Sequence, residues 1–375
     1  MIKYRKHDPN MERGISMRYK VEDIKYHFKY AFDTETGVYV RTGILDENGK
    51  DTGIDPFQGS FPHLIDVGVM GHCIHGKTGL CAKAGIECYQ NGMYQESPNM
   101  SVEDFRQIVK QCEGKTNQLA LGGRGDPDQH EAFAELLEIS KAHNLVPNFT
   151  TSGYGMTENI AKLCKKYCGA VAVSWYRSCY TLNAIKMLLN AGVKTNIHYV
   201  LGKNSINEAI ERLRNDDFPS GINAVIFLLH KPVGQGTVSN MLSPEDSKLS
   251  LFFEQVEKRH KFLVGMDSCL VPGAINFCNK INTDSLDTCE GGRFSCYISS
   301  DMRMTSCSFD QKMEYAVSLR EHTIAEAWES LQFQRFRKHL FNSCPNCSKR
   351  ALCMGGCPLR PQIVLCSREE KQNIE

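Results

Sequence analysis

Three cysteines stand close together in the stretch CIHGKTGLCAKAGIEC, residues 73 to 88. Seven residues separate Cys73 from Cys81, and six separate Cys81 from Cys88. Thiols at such short separations suit a disulfide framework, a zinc site, or three ligands of an iron-sulfur cluster with one iron left open. The spacing alone does not choose between these three kinds of site.

The composition argues against the disulfide framework. The chain has 375 residues, of which 17 are cysteine, with 41% hydrophobic residues, 23% charged residues and a formal net charge of +1. Neither the polar beginning nor any later stretch resembles a secretory signal or the roughly 18 apolar residues of a membrane span. We therefore expect a cytoplasmic protein, in which cysteines stay reduced and clusters of them bind metal. Neither a nucleic-acid partner nor a membrane partner is expected.

A second concentration of cysteines lies near the C-terminal end of the sequence. The stretch CPNCSKRALCMGGC has the spacing C-x2-C-x5-C-x3-C. Short gaps let several thiolates reach one metal centre, and thiolates suit iron and zinc. The cysteines of this concentration are Cys289, Cys296, Cys307, Cys344, Cys347, Cys353, Cys357 and Cys366. They suffice for two four-ligand sites and exceed the need of a zinc ribbon, which is the alternative interpretation.

The remaining cysteines have no partner at metal-binding spacing, and we interpret them as small buried hydrophobic residues. They are Cys112, Cys164, Cys168, Cys179, Cys269 and Cys278. Among them, Cys278 is the one that could replace Cys289 or Cys296 as a ligand.

The elements that must position the first three cysteines form a repeating pattern. Short β-branched runs alternate with amphipathic helical segments through residues 63–268. The predicted strands are residues 63–70, 117–123, 145–151, 169–175, 194–201 and 222–229. This alternation predicts an α/β fold with a partial (β/α)6 TIM-like barrel. Chemistry in such folds lies at the C-terminal ends of the strands, and Cys73 directly follows the first one.

Two regions flank the predicted barrel. Residues 1–62 form an N-terminal lead-in of unknown role, with a helix-like segment from Val21 to Phe32 and a Gly/Asp-rich stretch typical of turns. Residues 269–375 form a smaller cysteine-rich domain.

The C-terminal spacing resembles the SPASM domain of the radical S-adenosylmethionine (SAM) peptide maturases, and the preceding repeats resemble their partial barrel. The segments TIAEAWES and LQFQRFR are also similar to the helical segment before this cysteine run in that family. The resemblance implies two auxiliary 4Fe-4S clusters with crossed ligand sets. The first set is Cys289, Cys296, Cys307 and Cys357, and the second is Cys344, Cys347, Cys353 and Cys366. Full ligation would suit both clusters to electron transfer or structural support.

The opening cysteines resemble those of the family by position and not by spacing. The family's usual spacing is C-x3-C-x2-C, whereas this chain has C-x7-C-x6-C. Tyr89 matches an aromatic residue that usually lies near the last of these cysteines. The resemblance therefore implies a third 4Fe-4S cluster on Cys73, Cys81 and Cys88. Its open iron would bind SAM, and reduction would release a 5'-deoxyadenosyl radical.

A glycine-rich segment after the second predicted strand implies further contacts with SAM. Gly122 and Gly123 in LGGRGDP match the family's Gly-Gly-Glu segment. Arg124 replaces the acid, so that a carboxylate role would move to Asp126. The alternative interpretation of the two glycines is a tight turn between strand and helix.

The next two strand ends supply hydroxyls and a guanidinium. Ser152 and Ser174 would suit the SAM ribose, and Arg177 would suit the SAM carboxylate through a charge-assisted pair of hydrogen bonds. The alternative for the serines is a role as helix caps.

The implied function is a radical SAM enzyme that modifies a ribosomally synthesised precursor peptide, through carbon-sulfur or carbon-carbon crosslinking or epimerisation. A reductant such as flavodoxin or ferredoxin is the other expected partner. Ser308 stands where the family's sulfatase maturases have an Asp, which disfavours that reaction. No catalytic side chain is assigned. The competing hypotheses are a zinc-stabilised barrel without catalysis and a radical SAM enzyme acting on a small molecule.

Overall fold

The computed structural model describes residues 19–366, apart from residues 281, 283, 284 and 345. The strands are β1 (Tyr19–Asp23), β2 (Phe28–Phe32), β3 (Tyr39–Arg41), β4 (Leu64–Met70), β5 (Gln118–Gly123), β6 (Val146–Thr151), β7 (Val171–Ser174), β8 (Thr195–Leu201), β9 (Ala224–Leu229), β10 (Leu263–Met266), β11 (Ser295–Ile298), β12 (Arg303–Thr305) and β13 (Val317–Ser318). The helices are α1 (Ile74–Thr78), α2 (Leu80–Lys83), α3 (Val102–Cys112), α4 (Phe133–Ala142), α5 (Glu158–Tyr167), α6 (Cys179–Asn190), α7 (Ile206–Asn215), α8 (Lys248–Val256), α9 (Val271–Phe277), α10 (Ile324–Trp328), α11 (Leu331–Asn342) and α12 (Arg350–Cys353).

One large sheet organises the described part of the chain. Its order is β10-β9-β8-β7-β6-β5-β4-β11-β12-β13, and strands β4 to β10 run parallel to their neighbours. Helices α3 to α8 make the crossovers that parallel strands require. The six predicted strands are all present, and the predicted α/β partial barrel is confirmed. The structure adds a seventh parallel strand, β10, and a further parallel partner for β4, which is β11.

The two faces of β4 have different chemistry. Ile65, Val67 and Val69 are fully buried in the main apolar core, which they share with residues of α3 such as Phe105. Because side chains alternate along a strand, Asp66 and the glycine at position 68 face the barrel interior instead. The sheet thus buries its apolar side under the helices and leaves polar groups inside the barrel.

The prediction of a helix-like segment from Val21 to Phe32 is wrong. β1 pairs antiparallel with β2, and the intervening turn contains His27 in the left-handed region with φ of 53°. The aromatic residues of β2 recur every second position, which is the period of a strand. A small apolar cluster results, made of Phe28, Tyr30, Phe32, Tyr39, Val146 and Phe294. It fixes the β1-β2-β3 sheet against the start of β6 and the segment before β11.

The C-terminal region continues the barrel's sheet and core. β11 pairs parallel with β4, and the main apolar core includes Trp328 of α10 and Phe333 of α11 together with the barrel residues. Within the described residues, no helix is both long and apolar enough to cross a membrane. The domain boundaries at residues 62 and 268 stay a prediction.

Candidate functional site

The loop after β4 brings the opening cysteines together. Cys73 is buried and is the N-cap of α1, where its Sγ accepts a hydrogen bond from the Gly76 N–H at 3.3 Å. Burial, together with Cys73 and Cys88, raises the pKa of the Cys81 thiol to about 12. Thiols that disfavour one another's ionisation in this way lie in one neighbourhood, and cationic iron would favour all three thiolates.

Asp126 lies beside these thiols. Its Oδ2 contacts His75 Nε2 at 2.8 Å and accepts a short hydrogen bond from the Ser152 hydroxyl. Burial has the largest effect on the pKa of Cys73 and of Cys81, and Asp126 raises both values further. Asp126 therefore lies where it could take the carboxylate role that Arg124 does not provide.

Gly122 and Gly123, at the end of β5, have different structural roles. Gly123 has φ of +115°, and a Cβ there would collide with the Met70 backbone, including its nitrogen at 2.8 Å. Gly122 has nothing within 4 Å of its Cβ position, so its backbone borders open space. Arg124 turns away and donates to Ser97 Oγ at 3.3 Å and Gln95 Oε1 at 3.1 Å. The turn needs Gly123, while Gly122 leaves room for a ligand.

At the ends of β6 and β7, Arg177 is the predicted residue whose contacts differ from those expected. Ser152 and Ser174 do not cap helices, because the N-caps of α5 and α6 are Thr157 and Ser178. Arg177 uses its donors on Glu208, the Trp175 carbonyl and the Tyr199 hydroxyl. The structure therefore does not support Arg177 as a SAM carboxylate ligand.

Tyr176 reaches the thiols where Arg177 does not. Its hydroxyl lies within hydrogen-bonding range of Cys81 and Ser174. The sequence analysis missed Tyr176 and His75, although both stand inside the quoted motifs SWYR and CIHG. Both residues are close in sequence to predicted site residues, and this was the signal that could have identified them.

Tyr89 links this loop to the C-terminal region. Its ring packs on Phe309, with the ring centroids 4.5 Å apart. Phe309 follows Cys307 by two residues, so the contact joins the opening cysteines to the C-terminal ones. A Cβ at Gly234 would meet the Cys88 carbonyl oxygen at 2.7 Å, which shows how closely the loop after β9 packs on Cys88.

Four cysteines near the barrel form a set that we call the inner group. Its members are Cys269, Cys289, Cys307 and Cys357. The thiols of Cys269 and Cys357 lie within hydrogen-bonding range of each other. After burial, Cys289 and Cys269 each raise the pKa of Cys307, and Cys269 raises the pKa of Cys289, which is about 12.

Cys296, predicted as a ligand of this set, does not join it. It lies on β11 in register with Ile65, so that both side chains face the helices. Burial and then Cys112 of α3 raise its pKa, and no member of the inner group contributes. Cys269, taken from the sequence for a buried hydrophobic residue, occupies the fourth position instead. It lies just after β10, a strand that the sequence analysis did not predict.

The other predicted C-terminal set is brought together as predicted, and we call it the outer group. Its members are Cys344, Cys347, Cys353 and Cys366. Burial raises the pKa of Cys353 to about 11, and Cys366, Cys344 and Cys347 add to this effect. Cys347 is exposed, so the outer group lies close to the surface.

Backbone N–H groups favour the thiolate form of a cysteine in each of the three sets. Gly76 donates to Cys73 at 3.3 Å, and the N–H groups of Gly291, Phe309 and Gly355 lower the pKa of Cys289, Cys307 and Cys353 in turn. The pKa falls because an N–H close to the charged form of a thiol favours that form. Such bonds also tune iron-sulfur clusters.

The remaining cysteines lie apart from these sets. Cys164 is buried on α5 within hydrogen-bonding range of Cys168, and Cys179 is exposed. Burial and then Glu257 raise the pKa of Cys278 to about 12, with no contribution from another cysteine. Among the described residues, no three His, Cys, Asp or Glu side chains surround a single metal-ion position.

The barrel interior holds further polar groups below the opening cysteines. Burial, with a smaller effect of Glu290, raises the pKa of Asp66 to about 7. Burial lowers the pKa of His198 to about 4, and its Nδ1 lies 3.2 Å from the Thr150 hydroxyl.

Residues 289–349 match the SPASM family, described as an iron-sulfur cluster-binding domain. The chain carries a SPASM domain. The matched segment includes Cys289 and Cys307 of the inner group and Cys344 and Cys347 of the outer group. No curated protein sequence matches the chain significantly.

Solved structures share the fold of the barrel and the SPASM domain. Streptococcus suis SuiB bound to S-adenosylmethionine has a TM-score of 0.61 at 15% identity, over 83% of this chain and 77% of that one. SuiB bound to precursor peptide SuiA has a TM-score of 0.60 at 15% identity, over 86% and 83%. Native anSMEcpe with bound AdoMet and the Cp18Cys peptide has a TM-score of 0.56 at 18% identity, over 79% and 89%. The predicted resemblance to radical SAM/SPASM enzymes is thereby confirmed for the fold and for the SPASM domain.

Proposed function

We propose that this chain is a radical SAM enzyme that generates a 5'-deoxyadenosyl radical to modify a ribosomally synthesised precursor peptide. The supporting observation is the meeting of Cys73, Cys81 and Cys88 at the end of β4, beside Asp126 and the open backbone of Gly122. Carbon-sulfur crosslinking, carbon-carbon crosslinking and epimerisation are the candidate reactions.

The donor sets suit three 4Fe-4S clusters. Three thiolates would hold the first cluster, which when bound supplies an open iron for SAM and the electron that cleaves its sulfonium bond. The inner and outer groups, each of four thiols, would hold the two auxiliary clusters. In this assignment Cys269 takes the position predicted for Cys296.

Several side chains would contact SAM around the first cluster. Gly122 offers bare backbone to the methionine part, and Asp126 offers a carboxylate oriented by His75 and Ser152. The hydroxyls of Ser174 and Tyr176 lie on the other side of Cys81. Tyr89 closes the site toward the inner group.

Peptide substrates are supported by the structural neighbours. SuiB binds precursor peptide SuiA, and anSMEcpe binds the Cp18Cys peptide, each in a fold that this chain shares. A flavodoxin or ferredoxin is the proposed electron donor, and the cytosol is the proposed compartment because reduced thiols persist there.

The test compares wild-type protein with the triple change Cys73→Ala, Cys81→Ala, Cys88→Ala, purified without oxygen. We expect about twelve irons per chain to fall to about eight, and dithionite-driven release of 5'-deoxyadenosine from SAM to stop. Zinc in place of iron, or SAM cleavage that survives the triple change, would show that the proposal is wrong.

The substrate class is tested separately. Small peptides encoded beside this gene are incubated with the reconstituted enzyme, SAM and reductant, and mass spectrometry follows the product. A loss of two hydrogens is expected for a crosslink, and incorporation of solvent deuterium without a mass change in normal water is expected for epimerisation. Turnover of a small molecule with no change in any peptide would favour the small-molecule hypothesis.

A further inference from the structure

Lys231 places a buried positive charge between the opening loop and the inner group. It follows β9, and only 6% of its surface is exposed. Its Nζ lies 2.9 Å from Asp267 Oδ2 and donates to the Leu229 carbonyl at 2.9 Å. The same nitrogen stands 4.4 Å from the centroid of the Phe309 ring. A buried lysine with so few exposed atoms stays charged only where anions surround it.

Two of the three contacts of Lys231 lead to the inner group. Phe309 is two residues beyond Cys307. Asp267 caps the short helix Ser268–Leu270, which contains Cys269. The ammonium therefore adjoins the two segments that carry these cysteines.

The ammonium of Lys231 is therefore a buried positive charge beside the inner group, and its removal would leave the Asp267 carboxylate without this counter-charge.

We propose that Lys231 raises the reduction potential of the cluster held by the inner group and leaves that of the cluster held by the outer group unaffected. The step is a one-electron reduction in which no bond forms or breaks, and the reductant is a low-potential donor such as flavodoxin. The reduced cluster carries one more negative charge, so a nearby buried cation favours it. This inference rests on the proposed function, because it requires both clusters.

None of these contacts of Lys231 reaches a segment that carries the outer group. Lys349, close by in sequence, is exposed and binds Asn276 Oδ1 at 2.6 Å. The outer cluster therefore serves as an internal reference for the effect of Lys231.

The experiment measures both potentials in the full chain with Cys73, Cys81 and Cys88 changed to Ala, which leaves two clusters. An EPR-monitored redox titration follows the reconstituted protein with Lys231 intact, with Lys231→Met and with Lys231→Arg. In Lys231→Met we expect one potential to fall, with at least a tenfold weaker equilibrium for reduction, which is about 59 mV for one electron. Lys231→Arg keeps the charge and should keep the potential.

Two controls separate the charge from the fold. Lys186→Met removes the same charge from the exposed outer face of α6 and should leave both potentials unchanged. Lys231→Met combined with Asp267→Asn avoids an unpaired buried carboxylate and should restore part of the lost potential.

The outcomes distinguish this inference from the proposed function. Eight irons with both potentials unchanged in Lys231→Met, or with both shifted equally, would overturn the inference and leave the proposed function standing. Loss of one cluster in both Lys231→Met and the double variant would also overturn it, because Lys231 would then be structural. Protein without iron before any Lys231 change would overturn both.

Discussion

The inner and outer cysteine groups both lie in the C-terminal part of the chain but occupy different surroundings. The inner group adjoins the opening loop through Phe309 and Tyr89, and it adjoins the buried cation Lys231. The outer group includes an exposed cysteine, Cys347. Ligand spacing alone therefore does not determine the electrostatics of a cluster site. The chain that surrounds the thiols does.

A second difference is the connection to the N-terminal sheet. Arg41 of β3 is buried, and its guanidinium lies 2.6 Å from Asp287 Oδ1, 3.1 Å from Asp55 Oδ2 and 3.7 Å from Glu290 Oε1. Asp287 and Glu290 flank Cys289 of the inner group. The N-terminal region thus makes buried ion pairs with the segment that carries Cys289.

The largest expected effect comes from removing single cysteines. Cys269→Ala should lower the iron content from about twelve toward about eight per chain, because the inner cluster would lose one of its four thiolates. Cys296→Ala should keep about twelve, because this thiol packs against α3. Iron and sulfide analysis of the two variants decides between them. Loss of iron in Cys296→Ala but not in Cys269→Ala would support the ligand set predicted from the sequence.

The Arg41 connection should have the next largest effect. Arg41→Met leaves Asp287 without its buried partner, and we expect the free energy of unfolding to fall by about 3–5 kcal/mol. Urea denaturation measures the change, and iron analysis should show that the inner cluster is lost before the outer one.

The control for Arg41 is a surface ion pair that also joins the N-terminal sheet to the C-terminal region. Lys25 Nζ lies 2.7 Å from Glu329 Oε1, and both side chains are exposed. Lys25→Met should change the free energy of unfolding by no more than about 0.5 kcal/mol. Equal effects of the two changes would mean that Arg41 does not support the inner group.

The smallest expected effect concerns the segment that connects the two groups. Met354, Gly355 and Gly356 all have positive φ, and a Cβ at Gly356 would lie 2.6 Å from Val364 Cγ2. Gly356→Ala should therefore reduce stability by about 2 kcal/mol, from backbone strain and this contact together.

Gly49 is the matched control for Gly356. It has φ of +74° but nothing within 4 Å of its Cβ position, so Gly49→Ala should cost about 1 kcal/mol from strain alone. Thermal denaturation of both variants measures the difference. Equal losses would show that the connecting segment relaxes around an added methyl group.

The sequence predicted the barrel because its signal is local and repeated. Val102–Cys112 is one of the amphipathic helical segments between the predicted strands, since its apolar residues recur with helical period and Ser101 caps it through the Asp104 N–H. The N-terminal segment gave a weaker signal. Its polar residues suggested a helix, and the alternating aromatic residues of β2 become decisive only when Val146 and Phe294 are present to pack on them.

The candidate site was predictable to the extent that its residues are close in sequence. The opening cysteines and the outer group each lie in a short segment of sequence, so their spacing brings them together. The inner group depends on distant segments, and Cys269 reaches it because β10 lies next to β9 in the sheet. The contact of Arg177 with Glu208 of α7 was not predictable for the same reason, since the two residues are far apart in sequence.

The position of Cys357 has a consequence for any attempt to divide this protein. This inner-group thiol lies in the sequence between two outer-group thiols, Cys353 and Cys366. A chain that ended before residue 344 would lose the outer group completely and would also leave the inner group with three thiols. Under the proposed assignment, the last part of the chain therefore completes the ligand sets of both auxiliary clusters, and truncation cannot remove one site without affecting the other.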